Sequence, residues 1–244
     1  MSSHDRIAEE LVAGKIPFPA AAQARTQPLL RLRSLPPATR FRKSGFSPFQ
    51  AGIKRAIDVS LAAALLVLLA PALGAIALII RFDSAGPVLF RQTRLGLNGK
   101  PFDIFKFRTM HVLENGEHVR QAEPNDVRVT RAGRYLRALS FDEFPQLFNV
   151  LKGEMSLVGP RPHALAHDKD FGALIEGYAL RQRVKPGITG LAQVNGFRGP
   201  TPTPESIRRR VEFDLLYVRN AHLLLDAVIL LRTPLEIVRR RNAL

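Results

Sequence analysis

Two adjacent carboxylates, Asp142-Glu143, stand in the run Ser140-Phe-Asp142-Glu143-Phe-Pro145-Gln146-Leu147. Sequence neighbours on a helix point in different directions. Such a pair suits a division of labour, in which one carboxylate attacks or takes a proton and the other holds a cation. The same dipeptide also fits an exposed acidic pair or a helix N-cap. Further on lies Val158-Gly-Pro160-Arg161-Pro162-His163. Two prolines restrict the backbone around Arg161, so a phosphate clamp there loses little entropy; a rigid turn with a solvated arginine is the plainer alternative. Lys106 and Arg108 are two residues apart in Lys106-Phe-Arg108-Thr-Met110. They share one face of a strand, turned either to a phosphate or to water. Val184-Lys-Pro-Gly-Ile-Thr-Gly-Leu-Ala-Gln193-Val-Asn195-Gly196 sets Gln193 and Asn195 among glycines, in a loop suited to pass near a nucleotide or sugar. The chain has no Walker-type phosphate loop and no Gly-x-Gly-x-x-Gly fingerprint, and its six histidines carry no expectation of zinc hydrolysis.

Elements that position these residues are partly legible. Val59 to Ile80 is a run of 22 uncharged residues. As a helix it measures about 33 Å, close to the thickness of a hydrocarbon core. It lies too deep in the chain, and is too long, for a signal peptide. Pro71 sits at its middle, where proline removes a hydrogen bond and kinks or breaks a helix. Arg40, Arg42, Lys43, Lys54 and Arg55 precede it, and Arg81, Arg91, Arg94 and Lys100 follow. Basic charge on both flanks predicts that both stay in the cytoplasm, which a segment achieves by entering the membrane, turning at Pro71 and leaving on the same side. A kinked spanning helix is the alternative.

Beyond Arg81, Pro87-Val-Leu-Phe-Arg-Gln and Lys100-Pro-Phe-Asp-Ile-Phe-Lys-Phe-Arg108 read as short strands between Gly and Asn turns. Arg131 to Val150 reads as a helix broken at Pro145, and Ile207 to Arg219 as a basic amphipathic helix. Leu223 to Leu231 is apolar, contains Asp226 and is too short to span; it belongs at the interface or in the core. Residues 1–50 read as a disordered basic tail, in which Arg31, Arg33, Arg40, Arg42 and Lys43 suit anionic headgroups. The remaining boundaries are 51–82 for a re-entrant membrane helix-break-helix, 83–238 for a catalytic domain and 239–244 for a basic C-terminal tail.

The formal charge of +15 requires an acidic partner: nucleic acid, anionic lipid or phosphorylated substrate. With no Trp and three Tyr there is little for single-stranded bases to stack on, so nucleic acid is not expected. There is no cysteine, which removes disulfides and thiolate metal sites.

In order along the chain, these pieces resemble the monotopic phosphoglycosyl transferases, the bacterial sugar transferases. The matching residues are Lys54-Arg55, the Pro71-interrupted segment, Phe90-Arg-Gln-Thr-Arg94-Leu-Gly96, Lys106-Phe-Arg-Thr-Met110, Leu136-Arg137-Ala-Leu-Ser-Phe-Asp142-Glu143, Pro160-Arg161-Pro162, Lys185-Pro-Gly-Ile-Thr-Gly190, Tyr217-Val-Arg-Asn220 and Leu225-Asp226. No motif is decisive alone; the ordered set, over about residues 52 to 235, is specific.

The resemblance implies an α+β fold, mainly helical with short strands, on the cytosolic face of the bacterial cytoplasmic membrane. It implies transfer of hexose-1-phosphate from a UDP-hexose to undecaprenyl phosphate, releasing UMP, as the first membrane step of exopolysaccharide, capsule or O-antigen synthesis. Asp142 is then the nucleophile of a covalent phosphosugar intermediate, and Glu143 holds Mg²⁺. Arg137 and Arg161 face phosphoryl oxygens, with Lys106, Arg108, Gln193, Asn195 and Asp226 as further phosphate or substrate contacts. Gly159-Pro-Arg-Pro-His163-Ala and Gly190-Leu-Ala-Gln-Val-Asn-Gly-Phe-Arg198-Gly resemble members that use glucose or galactose, and favour UDP-glucose over UDP-galactose. Ala70 and Phe144 depart from the family pattern, which often has Ser and Leu there. The tail before the membrane segment reads as a short form of the family. Anionic lipids of the inner leaflet are expected partners, and a homodimer suits a membrane-surface enzyme. A non-catalytic membrane-anchored adaptor of a polysaccharide assembly complex is the competing expectation.

Overall fold

Ser47 starts the first helix. Its hydroxyl accepts from the Gln50 N–H and the Gln50 side chain accepts from the Ser47 N–H, a capping box with Pro48 at the first helical position. The helix, α1, runs Pro48–Asp83 in the computed structural model, which describes residues 46–111, 121–123, 126–199, 201 and 203–239. Most of the expected N-terminal tail and five of the six residues of the C-terminal tail lie outside the described residues, Arg31, Arg33, Arg40, Arg42 and Lys43 among them. Helical structure is continuous through Pro71, where the missing N–H leaves the Val67 carbonyl without its usual partner. The middle of α1 is largely exposed and apolar, with mean hydropathy 2.7 over its most apolar window. It is long and apolar enough to cross a membrane.

The two ends of α1 are held by the rest of the protein. Near the start, Arg55 donates to the carbonyls of Val150 (2.5 Å) and Leu151 (2.8 Å), and Asp58 accepts from the Leu157 N–H at 3.1 Å. Near the end, Ile76 and Ile80 pack with Phe107 and Leu136. Asp83 accepts from the Ala132 N–H at 3.2 Å.

Strands β1 (Leu89–Leu95) and β2 (Pro101–Phe107) form an antiparallel hairpin in which Phe90 faces Lys106 and Arg94 faces Phe102. Helix α2 (Arg131–Leu139) is capped by Thr130, whose hydroxyl accepts from the Gly133 N–H at 2.9 Å. The sequence suggested a break at Pro145, but the chain breaks at Ser140. That residue is left-handed at φ 57 and sends its N–H back to the end of α2. A short 3₁₀ turn, Phe141–Glu143, follows, and Pro145 then serves as the N-cap of α3 (Gln146–Lys152), where a missing N–H costs nothing.

A two-stranded parallel sheet pairs β3 (Ser156–Val158) with β4 (Gly187–Thr189). The strands approach so closely at their ends that a Cβ on Gly187 would lie 2.1 Å from the Gly159 nitrogen, so both glycines are required there. Around this sheet, α4 (Leu165–Leu174), α5 (Pro204–Asn220) and α6 (Leu223–Arg239) complete the architecture. The fold is mostly helical with short strands. One main core gathers Ile104, Leu147, Val150, Val158, Phe213, Tyr217 and Ile229 from five of these elements, with Met155 from the loop before β3. The stretch expected at Leu223 to Leu231 lengthens into α6, with Ile229 fully buried and Leu224 and Leu231 exposed. Its burial on one face only is the amphipathic pattern.

Candidate active site

The break at Ser140 turns Asp142 inward. Its side chain is buried, and among the described residues it takes part in no hydrogen bond or ion pair. Burial raises the Asp142 carboxyl above its ordinary value; Lys106 opposes the shift, the Glu143 charge adds to it, and Arg137 and Arg161 act against it. Glu143 is opposite in character. Arg161 reaches both of its oxygens, Nη1 to Oε2 at 2.8 Å and Nη2 to Oε1, while Lys106 Nζ lies 2.9 Å from Oε1. Burial alone would raise the Glu143 carboxyl, but these two cations and their hydrogen bonds hold it well below the carboxylate range. The planar fork of an arginine on a carboxylate is the strongest geometry available to this pair.

The Pro160-Arg161-Pro162 turn is gripped from behind through its carbonyls. Arg181 donates to the Arg161 carbonyl at 2.7 Å, and Arg94 to the Pro162 carbonyl at 3.2 Å. Arg181 in turn pairs with Asp214 of α5 at 2.9 Å and lies 2.9 Å from the Tyr178 hydroxyl. Tyr178 donates to Asp168 and lies 2.6 Å from His163 Nδ1. Burial and the arginines around it, Arg181 first, keep His163 neutral by pushing its pKa well below 6.5. His163 and His167 are four residues apart, the spacing of a helical metal pair. Here His163 faces Tyr178 and His167 stacks on Phe171, and no group of three metal-ligand side chains forms among the described residues.

Of the residues singled out from sequence, Asp142, Glu143, Lys106 and Arg161 come together. Arg137, in the last turn of α2, acts on Asp142 through space, and its guanidinium lies 4.0 Å from the Met110 sulfur. Four others are engaged elsewhere. Arg108 is fully buried and donates to the carbonyls of Ser84 (2.6 Å) and Ala85 just beyond α1, so it caps that helix. Asp226 accepts from Lys54 at 2.5 Å and from Tyr217 at 2.7 Å, fixing α6 to the base of α1. Gln193 and Asn195 donate to the Ile188 and Leu191 carbonyls, at 2.8 and 2.7 Å, and hold their own loop. Two residues that sequence reasoning left without a role also belong here. Arg94 supports the Arg161 turn, and Arg198 lies within electrostatic reach of Asp142, Glu143 and Arg161. Arg198 stood in sequence only as part of the Gly190–Gly199 motif, with a glycine on either side of the Phe197-Arg198 pair.

Mg²⁺ takes oxygen ligands, commonly one or two carboxylates with substrate phosphates and waters completing the shell. Glu143 beside Asp142 offers that donor type, and no third acid or histidine is grouped with them among the described residues. Both Glu143 oxygens already bond cations, so such a metal would take over charge that Arg161 and Lys106 now neutralise.

Residues 49–240 match the family described as bacterial sugar transferase, and the chain belongs to that family. It is 54% identical over 190 residues to the UDP-glucose:undecaprenyl-phosphate glucose-1-phosphate transferase of Caulobacter vibrioides, covering 78% of this chain and 71% of that one. To the Escherichia coli protein of the same description it is 54% identical over 181 residues, 74% of this chain and 39% of the relative. To the exopolysaccharide production protein PSS of Rhizobium leguminosarum it is 45% identical over 185 residues, 74% of this chain and 92% of that one. The chain thus spans well under half of the Escherichia coli relative.

Proposed function

We propose that this protein moves glucose-1-phosphate, with galactose-1-phosphate as the next candidate, from a UDP-sugar to undecaprenyl phosphate and releases UMP. The observation that carries this reading is the free, buried Asp142 beside a Glu143 already neutralised by Arg161 and Lys106. An unrestrained carboxylate in a cationic, desolvated setting suits attack on a phosphorus atom.

In the first step an Asp142 oxygen bonds to the sugar-side phosphorus while that phosphorus parts from the oxygen leading to UMP, which leaves with the electron pair. In the second, an oxygen of the polyprenyl phosphate attacks the same phosphorus and the Asp142 carboxylate departs, leaving a sugar diphosphate lipid. Splitting the reaction lets a soluble and a lipid substrate occupy the site in turn. Arg137, Arg161 and Lys106 offset charge on the phosphoryl oxygens. Glu143 would hold Mg²⁺, which when bound would add charge neutralisation for the diphosphate.

The apolar helix and both basic flanks support a re-entrant arrangement at the cytoplasmic face of the cytoplasmic membrane, with anionic lipid headgroups as neighbours. The test is purified protein given undecaprenyl phosphate and a panel of UDP-sugars. UMP release with a lipid-linked sugar, fastest from UDP-glucose, is the expected result. No UMP from any UDP-sugar would leave a membrane adaptor as the better reading.

A further inference from the structure

Arg198 follows the short 3₁₀ turn Gln193–Asn195, and its neighbours on both sides are anchored. Phe197 packs on Phe213, ring centroids 5.3 Å apart, and Arg210 of α5 donates to the Gly199 carbonyl. Gly196 turns the chain through a left-handed conformation at φ 91. The backbone that carries Arg198 is therefore held on both sides. The Arg198 Nη1 is buried and meets no acceptor, and among the described residues Arg198 forms no hydrogen bond or ion pair.

A buried guanidinium donor without an acceptor is costly. Its surroundings identify what would relieve that cost. Asp142 and Glu143 attract it and Arg161 repels it, so it stands at the edge of the site already described. Both Glu143 oxygens are taken by Arg161 and Lys106, which leaves no partner for Arg198 there. A cation in excess of the local carboxylates, with an open fork of donors, matches phosphoryl oxygens arriving from outside.

We infer that Arg198 is a further substrate-binding residue of this site, whose guanidinium takes a phosphoryl oxygen. The inference rests on the transferase reading above. Two substrates bring such an oxygen, the diphosphate of the UDP-sugar and the monophosphate of the lipid acceptor.

Arg198→Gln and Arg198→Lys, made in the full chain, distinguish them. KM for UDP-glucose is measured at saturating undecaprenyl phosphate, and KM for undecaprenyl phosphate at saturating UDP-glucose. Arg198→Gln should raise one of the two by about ten- to a hundredfold. Arg198→Lys, which keeps the charge but not the fork, should recover part of the loss. The substrate whose KM rises is the one whose phosphate Arg198 holds. If both KM values stay within about twofold of wild type, or if only kcat falls, the assignment is overturned. If Arg198→Gln does not fold, the lysine variant carries the test, and an unchanged KM for both substrates overturns it equally. A wild-type protein that releases no UMP defeats the transferase reading instead. Arg198 is then judged by direct binding of UDP-glucose and of undecaprenyl phosphate; Arg198→Gln must weaken at least one of the two if the assignment stands, and unchanged binding of both overturns it.

Discussion

Asp142 and Glu143 are joined in sequence and opposed in electrostatics: burial holds the Asp142 carboxyl above 3.8, while Arg161 and Lys106 overcome burial at Glu143 and hold it well below 4.5. One backbone turn thus presents a carboxylate that binds a proton readily and another that does not give up its charge.

Replacing Asp142 with Asn should lower UMP release by about a thousandfold or more, since a carboxamide keeps the shape but is a poor nucleophile. Stability should not suffer. The folded Asp142 value is raised, so its favourable contribution is complete below 3.8 and is lost as pH rises through the folded value. Above that, the ionised group is a burden that Asn removes. A melting temperature equal to or above wild type at neutral pH, together with lost turnover, is the expected pair of results. Near-normal turnover would refute the covalent step.

Glu143 and Arg161 should behave as one unit. Either change alone strands a partly buried charge, and Glu143→Gln strands two, Arg161 and Lys106. Denaturant unfolding of Glu143→Gln, Arg161→Gln and the double variant should give a coupling of about 0.5–3 kcal/mol, with Glu143→Gln the costlier single change. Activity supplies a second reading. Glu143→Gln and removal of Mg²⁺ should cause overlapping, non-additive losses, and full turnover in excess chelator would exclude the metal.

His163 makes an acid-labile contribution to the fold. Its folded value lies well below 6.5, so the unfolded chain binds a proton that the folded one refuses. The contribution is whole above about 6.5 and declines as pH falls from there, with a slope of at most about 1.4 kcal/mol per pH unit. Asp168 and Asp214 titrate with the opposite sign, since burial raises both. They are present in wild type and variant alike. The difference in unfolding free energy between wild type and His163→Gln should therefore shrink between pH 7 and pH 5, and a constant difference would show that His163 takes up a proton as readily in the fold as in the unfolded chain.

The parts of the site that were legible from sequence are those whose local spacing carries the chemistry. Asp142-Glu143 and Pro160-Arg161-Pro162 announce themselves within six residues, and the ordered motifs told where they belong. What was not legible depends on distant partners. Asp226 read as a phosphate or substrate contact because Lys54, its partner, lies 172 residues away. Arg108 shares a strand pattern with Lys106, yet it leaves the strand to cap α1. The break at Ser140 was invisible for another reason: a left-handed serine is set by packing rather than by residue type, whereas Pro145 carried a strong and misplaced signal.

The last prediction concerns α1. Residues near its start, Lys54, Arg55 and Asp58, bind α6, α3 and β3, and residues near its end, Ile76, Ile80 and Asp83, bind β2 and α2. One domain therefore grips both ends, while Ala64 to Ala75 is mainly exposed. A helix spanning the bilayer would separate those ends by the thickness of the hydrocarbon core and carry Lys54 and Arg55 away from their partners. It would also move basic residues against the membrane potential, at about 2.3 kcal/mol per charge per 100 mV. Both flanks should accordingly lie in the cytoplasm. Ser47→Cys and Lys100→Cys report on them, both positions being exposed and the chain having no native cysteine. Intact cells treated with an impermeant thiol reagent should leave both sites unlabelled, and opening the membrane should expose both. Labelling at position 47 in intact cells, with position 100 protected, would establish a spanning helix and overturn the re-entrant arrangement.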